Sequence, residues 1–155
     1  RPLGVRLPIY PVKGYSLTFP VGQWNGAPVI PMADTGRHIG ITRLGDRIRV
    51  AGTAEFAGND RSLNPKRIGN LRRFFLDVFP DYPDPSAGEG WTGFRPMTPD
   101  GIPYLGETPV QGLYLNTGHG HLGWTMSCGS GQALAHLISG ESGDLDLTGM
   151  TLASR

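Results

Sequence analysis

The residues with the most chemical promise are a single run, Gly118-His119-Gly120-His121-Leu122-Gly123, and an arginine well before it, Arg95. Ahead of the run, Gly112-Leu113-Tyr114-Leu115-Asn116 is apolar and reads as a short buried strand. Behind it come Trp124, Thr125 and Met126, then residues 127–139, where Leu134, Leu137 and Ile138 recur at helical spacing. A strand therefore feeds a glycine-rich turn, and the turn opens a helix. Glycine has no side chain and tolerates positive φ, so backbone in such a turn can approach a ligand closely. The first turn of a helix adds unpaired N–H groups and a partial positive charge. An electron-rich group suits such a place. A tight strand–helix connection with nothing bound is the other reading, and the residues alone leave both open.

The run also fits the pattern G-x-G-x-x-G, but as an adenine-dinucleotide fingerprint it is a false match. That fingerprint needs a second parallel strand after the helix, ending in an acidic residue about 20 positions on. Here the helix runs into Gly140-Glu141-Ser142-Gly143-Asp144, and too few apolar residues follow for another strand–helix–strand unit.

Arg95 sits in Trp91-Thr92-Gly93-Phe94-Arg95-Pro96, among aromatic and glycine neighbours. A guanidinium in such surroundings needs an anionic partner, and its planar fork suits a carboxylate. A structural ion pair with one of the chain's own acids answers the same need. His119 and His121 flank Gly120, but no third ligand stands at a metal-binding spacing, so no metal is expected. No G-x-S-x-G, Cys/His pair or paired-carboxylate motif stands out, which leaves acyl transfer and glycoside hydrolysis without support. Cys128 reads as a small buried residue on the last helix. Tyr15 and Tyr104 cannot be assigned by pattern.

The elements that must hold these residues are legible in outline. Residues 12–19 alternate, with Tyr15, Leu17 and Phe19 on one side, as in a half-buried strand. Residues 20–31 are turn material. Residues 38–43 and 47–53 form the clearest hairpin, with Ile39 and Ile41 on one arm, Ile48 and Val50 on the other, and Arg43, Arg47 and Arg49 on its solvated face. Asn64-Pro65 starts a helix with an N-cap residue and a first-turn proline. Ile68, Leu71, Phe75 and Val78 give it an apolar stripe, and Phe79-Pro80 ends it. Residues 91–96 read as a short strand, followed by a turn at Thr98-Pro99-Asp100-Gly101. The final strand and helix form a separate neighbourhood.

Bulk properties narrow the class. The chain has 155 residues, enough for a real core. Its 24 glycines and 14 prolines make it turn-rich, but apolar runs interrupt them, so it folds. A net charge of +1 gives no polybasic footprint for nucleic acid. No apolar run approaches a membrane span. A single cysteine excludes an internal disulfide and fits a reducing compartment. With Arg1 in place of an initiator methionine and no signal peptide, the chain reads as a piece of a longer polypeptide.

Three stretches then carry a resemblance. They are Tyr10-Pro11-Val12-Lys13-Gly14-Tyr15-Ser16-Leu17-Thr18; Trp91-Thr92-Gly93-Phe94-Arg95-Pro96-Met97-Thr98-Pro99-Asp100-Gly101; and Leu115-Asn116-Thr117-Gly118-His119-Gly120-His121-Leu122-Gly123-Trp124-Thr125-Met126. In this order they resemble the C-terminal part of bacterial D-amino acid dehydrogenase small subunits, flavoproteins of the D-amino acid oxidase superfamily. The resemblance covers nearly the whole chain.

The resemblance implies an α+β fold. Residues 1–106 would be a mainly antiparallel substrate-binding domain carrying a helix. Residues 107–155 would be a strand–turn–helix returning to an FAD-binding domain whose N-terminal fingerprint lies outside this chain. It implies noncovalent FAD, because no cysteine stands just before Thr98-Pro99-Asp100, where sarcosine oxidases tether flavin. It implies that Arg95 grips the substrate carboxylate, with His121 and Tyr15 as further substrate candidates, and that Gly120, His121, Leu122, Gly123, Trp124 and Thr125 touch the flavin. Related glycine oxidases have an arginine, and sarcosine oxidases a lysine, near the place of His121. The implied reaction is oxidation of a D-amino acid to a 2-oxo acid and ammonia. A hydride passes from the α-carbon to flavin, and the electrons go to a respiratory acceptor rather than to oxygen. The implied location is the bacterial cytoplasm, peripheral on the inner membrane face. The isolated chain is expected to be inactive. The competing expectations are a fragment of a glycine oxidase-like or other amine-oxidising flavoenzyme, and a folded domain without catalysis.

Overall fold

A computed structural model describes residues 3–154. It contains seven strands and two long helices, an α+β architecture with mainly antiparallel pairing. The chain divides into two compact units. One comprises residues 12–94, the other residues 3–11 with 95–154. The units part after Phe94. Residues 104–107 pair with residues 114–117 and pack with the last helix, which draws the segment after Arg95 into the C-terminal unit.

The first unit is built on a sheet of order β2-β3-β4-β1-β5. Its strands are β1 (Tyr10–Pro20), β2 (Met32–Asp34), β3 (Ile39–Leu44), β4 (Arg47–Glu55) and β5 (Glu89–Met97). The expected hairpin is β3–β4, with Ile41 opposite Val50 and Arg43 opposite Ile48. Strand period two sends Ile41, Ile48 and Val50 to one face, where they meet Leu17 and Phe19 of β1. Arg43, Arg47 and Arg49 are exposed, as read from the sequence. The short edge strand β2 was not foreseen.

Helix α1 (Pro65–Val78) covers the apolar face. Asn64 caps it by accepting a hydrogen bond from the Lys66 N–H, and Pro65 stands where no intrahelical donor is needed. Its buried residues are Leu71 and Phe75. The Phe75 ring stacks on Phe19 at 4.2 Å and meets Trp24, Phe79 and Tyr82 at tilted or edge-on angles. That aromatic cluster is the centre of the core.

Beyond the apolar centre lies an ionic network around a buried lysine. The register of β1 and β4 slips between Lys13 and Tyr15, and Thr53 within that stretch takes φ 68, rare for a β-branched residue. The bulge sets Glu55 opposite Lys13. Lys13 Nζ, fully buried, lies 3.1 Å from Asp60 and 3.6 Å from Glu55. Glu55 also accepts from the Tyr15 hydroxyl (2.5 Å) and from Asn64 Nδ2. One network therefore ties the N-terminus of α1 and the loop before it to β1 and β4.

The second unit holds the hairpin of β6 (Tyr104–Glu107) and β7 (Tyr114–Thr117), helix α2 (Gly123–Ser139) and a 3-10 turn at Leu152–Ser154. The glycine-rich turn joins β7 to α2, as expected. Two expectations change here. Strand β7 is only half-buried, because its hairpin has a single partner strand. Cys128 is exposed, because the face of α2 that meets its own unit is set by Ser130 and Ala133 instead.

Candidate active site

The site grows from the end of β5. Pro96 has no N–H to give a neighbouring strand, and proline is tolerated here because β5 is an edge strand of its sheet. Its carbonyl accepts a hydrogen bond from the Gly120 N–H at 3.0 Å. One residue on, Met97 forms an antiparallel bridge with His119. The end of β5 from Arg95 on is thus fastened to the glycine-rich turn within one compact unit. Arg95 and Met97 are two apart in β5, so their side chains leave the same face, roughly 6.5 Å apart along the strand.

The turn's glycines are explained by this fastening. Gly118 (φ 84) and Gly120 (φ 57) both lie in the left-handed region. A Cβ on Gly118 would come within 2.7 Å of Thr98 Cγ2, and one on Gly120 within 2.6 Å of Met97 Sδ. Gly123 differs. It has an ordinary φ, and an added Cβ would meet only His119 Cβ at 3.5 Å. Within the run, left-handed backbone is confined to Gly118 and Gly120.

Helix α2 begins without a side-chain cap. Leu122 occupies the N-cap, and no acidic residue stands in the first turn. The first intrahelical bond runs from Met126 N–H to Leu122 O. The amides of Gly123, Trp124 and Thr125 therefore have no acceptor within the helix. Leu122 and His121 are exposed, and the Trp124 side chain is 93% exposed. An uncapped N-terminus with a positive end and a bare approach at Gly123 fits the edge of an anionic or carbonyl-rich ring. The donor set present thus suits a flavin.

Arg95 is half-buried, and burial pushes its guanidinium below its ordinary pKa. The guanidinium stays charged, and its planar fork matches a carboxylate. In the same unit two polar atoms, Thr98 Oγ1 and His119 Nε2, are buried without a hydrogen-bond partner. The sequence reading weighed His119 only as half of a histidine pair and Thr98 only as part of a turn. Tyr15 lies in the other unit, buried, with its hydroxyl given to Glu55. Among the described residues no group of three His, Cys, Asp or Glu side chains is placed to hold a metal ion. An open cleft of about 280 Å³ at the far end of α2, between His136, Leu137, Glu141 and Leu145, holds none of the candidate residues.

An α+β fold in which the strand end after Arg95 is fastened to the turn that opens an uncapped helix agrees with the family comparison. The chain belongs to the FAD dependent oxidoreductase (DAO) family, whose model matches residues 1–137. It is 53% identical over 152 residues to a D-amino acid dehydrogenase of Xanthobacter autotrophicus, covering 98% of this chain and 36% of that protein. A D-amino acid dehydrogenase of Methylobacterium sp. (strain 4-46) is 57% identical over 140 residues, covering 90% and 33%. The chain spans about a third of the length of these curated relatives. Among solved structures, glycine oxidase from Geobacillus kaustophilus matches with a TM-score of 0.78 and 29% identity, over 96% of this chain and 40% of that one. Iminodiacetate oxidase from Chelativorans sp. BNC1 matches with a TM-score of 0.79 and 25% identity, over 96% and 41%.

Proposed function

We propose that this chain is the substrate-binding and flavin-capping portion of an FAD-dependent dehydrogenase that oxidises D-amino acids to 2-oxo acids and ammonia. The observation that carries this reading is the fastening of β5 to the turn. It holds Arg95 and the uncapped start of α2 in one unit, in a chain whose relatives are named D-amino acid dehydrogenases.

Each residue then has a role. Arg95 receives the substrate carboxylate, a charge-assisted and bidentate match. The amides of Gly123, Trp124 and Thr125, with Gly120, His121 and Leu122 leading to them, face the flavin. Bound flavin supplies the acceptor for the hydride that leaves the α-carbon. The chain supplies orientation and electrostatics, and no side-chain nucleophile is needed. Tyr15 serves the ionic network of its own unit. His121, exposed beside the helix start, remains a second contact for substrate or flavin.

Residues 1–106 are assigned mainly to the substrate side and residues 107–155 to the flavin side. The large, nearly fully exposed ring of Trp124 at the start of α2 supports this. No helix among the described residues is long and apolar enough to cross a membrane. We place the parent enzyme in the bacterial cytoplasm, peripheral on the inner membrane face, passing electrons to a respiratory acceptor.

The test is Arg95→Met in the full-length enzyme with D-alanine as substrate. Loss of a desolvated, bidentate carboxylate pair costs roughly 2–5 kcal/mol, read as a raised KM with the flavin spectrum intact. Unchanged KM and kcat overturn the assignment. The likeness to glycine oxidase supports a second reading, and turnover of glycine in preference to D-alanine would establish it.

A further inference from the structure

We propose that Met97 is a positioning residue that couples the carboxylate grip at Arg95 to the flavin-facing turn. The inference rests on the roles proposed above for Arg95 and α2, and it goes beyond them by naming what sets their spacing.

Three observations meet at Met97. Its backbone bridges His119, and the adjacent Pro96 carbonyl accepts the Gly120 N–H at 3.0 Å. Its thioether lies against the open side of Gly120, where a Cβ would come within 2.6 Å of sulfur. Its side chain leaves β5 on the same face as that of Arg95. The turn is therefore seated on Met97, with only His121 and Leu122 between that seat and the first residue of α2.

A displaced Met97 side chain moves two things at once. The strand end that aims Arg95 loses its counterpart, and the turn that leads the α2 amides toward the ring loses its floor. Thr98, the next residue, supports Gly118 in the same way, with its methyl lying under that glycine. A thioether suits the Met97 position because it is unbranched and can follow a bare backbone closely. Leucine has nearly the same volume and is the substitution best tolerated there.

The experiment uses the full-length holoenzyme with Met97→Ala, Met97→Leu and, as the reference for carboxylate binding, Arg95→Met. Three quantities are read: KM for D-alanine, the flavin midpoint potential, and the thermal midpoint. In Met97→Ala, KM is expected to rise on the order of tenfold to a hundredfold, the scale of a small misplacement. The midpoint potential is expected to shift in the same variant, and Met97→Leu to restore both. If Met97→Ala yields no loaded enzyme, Met97→Val is read in the same way. A Met97→Ala or Met97→Val enzyme with a lower thermal midpoint but unmoved KM and potential overturns the proposal. So does movement of only one of the two. If Arg95→Met leaves KM unchanged, the reading of Arg95 fails. If Arg95→Met raises KM while Met97→Ala moves neither quantity, only the coupling fails.

Discussion

Lys13 and Asp60 form an ion pair in which the amine is fully buried and the carboxylate is half exposed, with 3.1 Å between Nζ and Oδ2. The partners' pKa values move in the stabilising directions. Hydrogen bonds from the Ser62 backbone and hydroxyl, and then from Lys13, push Asp60 down to about 2. Glu55 is lowered chiefly by the Tyr15 hydroxyl. Burial pulls Lys13 down, but its bonds to Tyr15 and Asp60 outweigh that and leave it raised.

The first prediction is a pH profile. A carboxylate with a depressed folded pKa stabilises above its unfolded value and loses that stabilisation as pH falls through the folded one. Asp60 should therefore contribute fully above pH 3.8 and lose its contribution as pH falls toward 2. Lys13 has the opposite sign, contributing below 10.5 and fading as pH rises through its raised folded value. Asp60→Asn should flatten the acid limb of the thermal midpoint between about pH 4 and 2. An acid limb identical to wild type would mean that the titration of Asp60 carries no stability.

A second prediction concerns the core. Phe75 stacks on Phe19 and meets Trp24, Phe79 and Tyr82, so no single neighbour can collapse into the space it leaves. Phe75→Ala should cost roughly 3–5 kcal/mol in denaturant unfolding. A loss below about 1 kcal/mol, the scale of an exposed site, would place the ring outside the core.

How much was legible follows from the range of the signals. Asn64-Pro65 and the Ile68–Leu71–Phe75 spacing are local, and α1 lies where they put it. The β3–β4 hairpin is local too. Strand β2 was missed because three residues are too short for a period of two to register. The bulge at Thr53 and the burial of Lys13 depend on a pairing some forty residues apart, which no window contains. Arg95 and the glycine-rich turn were each picked out by residue type. What the sequence hid was the pair that joins them, Met97 and His119, because a single long-range bridge leaves no pattern. Cys128 was misread because helical spacing does not tell which face has a neighbour.

A third prediction concerns the chain by itself. It spans about a third of its relatives' length, and its glycine-rich turn is a weak substitute for a dinucleotide fingerprint that grips a pyrophosphate. Titrated with FAD, the isolated chain should bind weakly or not at all and leave flavin fluorescence unquenched. Tight stoichiometric quenching would show that these residues hold the cofactor unaided.

The last prediction separates two kinds of glycine in one turn. Gly118 is left-handed and has Thr98 Cγ2 where a Cβ would go, so Gly118→Ala should cost roughly 1–3 kcal/mol whatever is bound. Gly123 has neither constraint, and as the first residue of α2 it gains from a less flexible unfolded chain. Gly123→Ala should leave the thermal midpoint of the full-length protein unchanged, or raise stability by about 0.4–1 kcal/mol. Its methyl would nevertheless stand beside the amides of Gly123, Trp124 and Thr125. An uncapped helix start favours negative charge by about 0.3–1 kcal/mol, and hydrogen bonds to a charged acceptor add roughly 1.5–3 kcal/mol. If those amides face the flavin, holding a ring farther away should lower its midpoint potential, because the reduced, more negative form loses more. The measurement is the midpoint potential of fully loaded Gly123→Ala against wild type, with the thermal midpoint alongside. A lowered potential at unchanged stability is the expected pair. An unchanged potential would mean that the turn serves β5 alone.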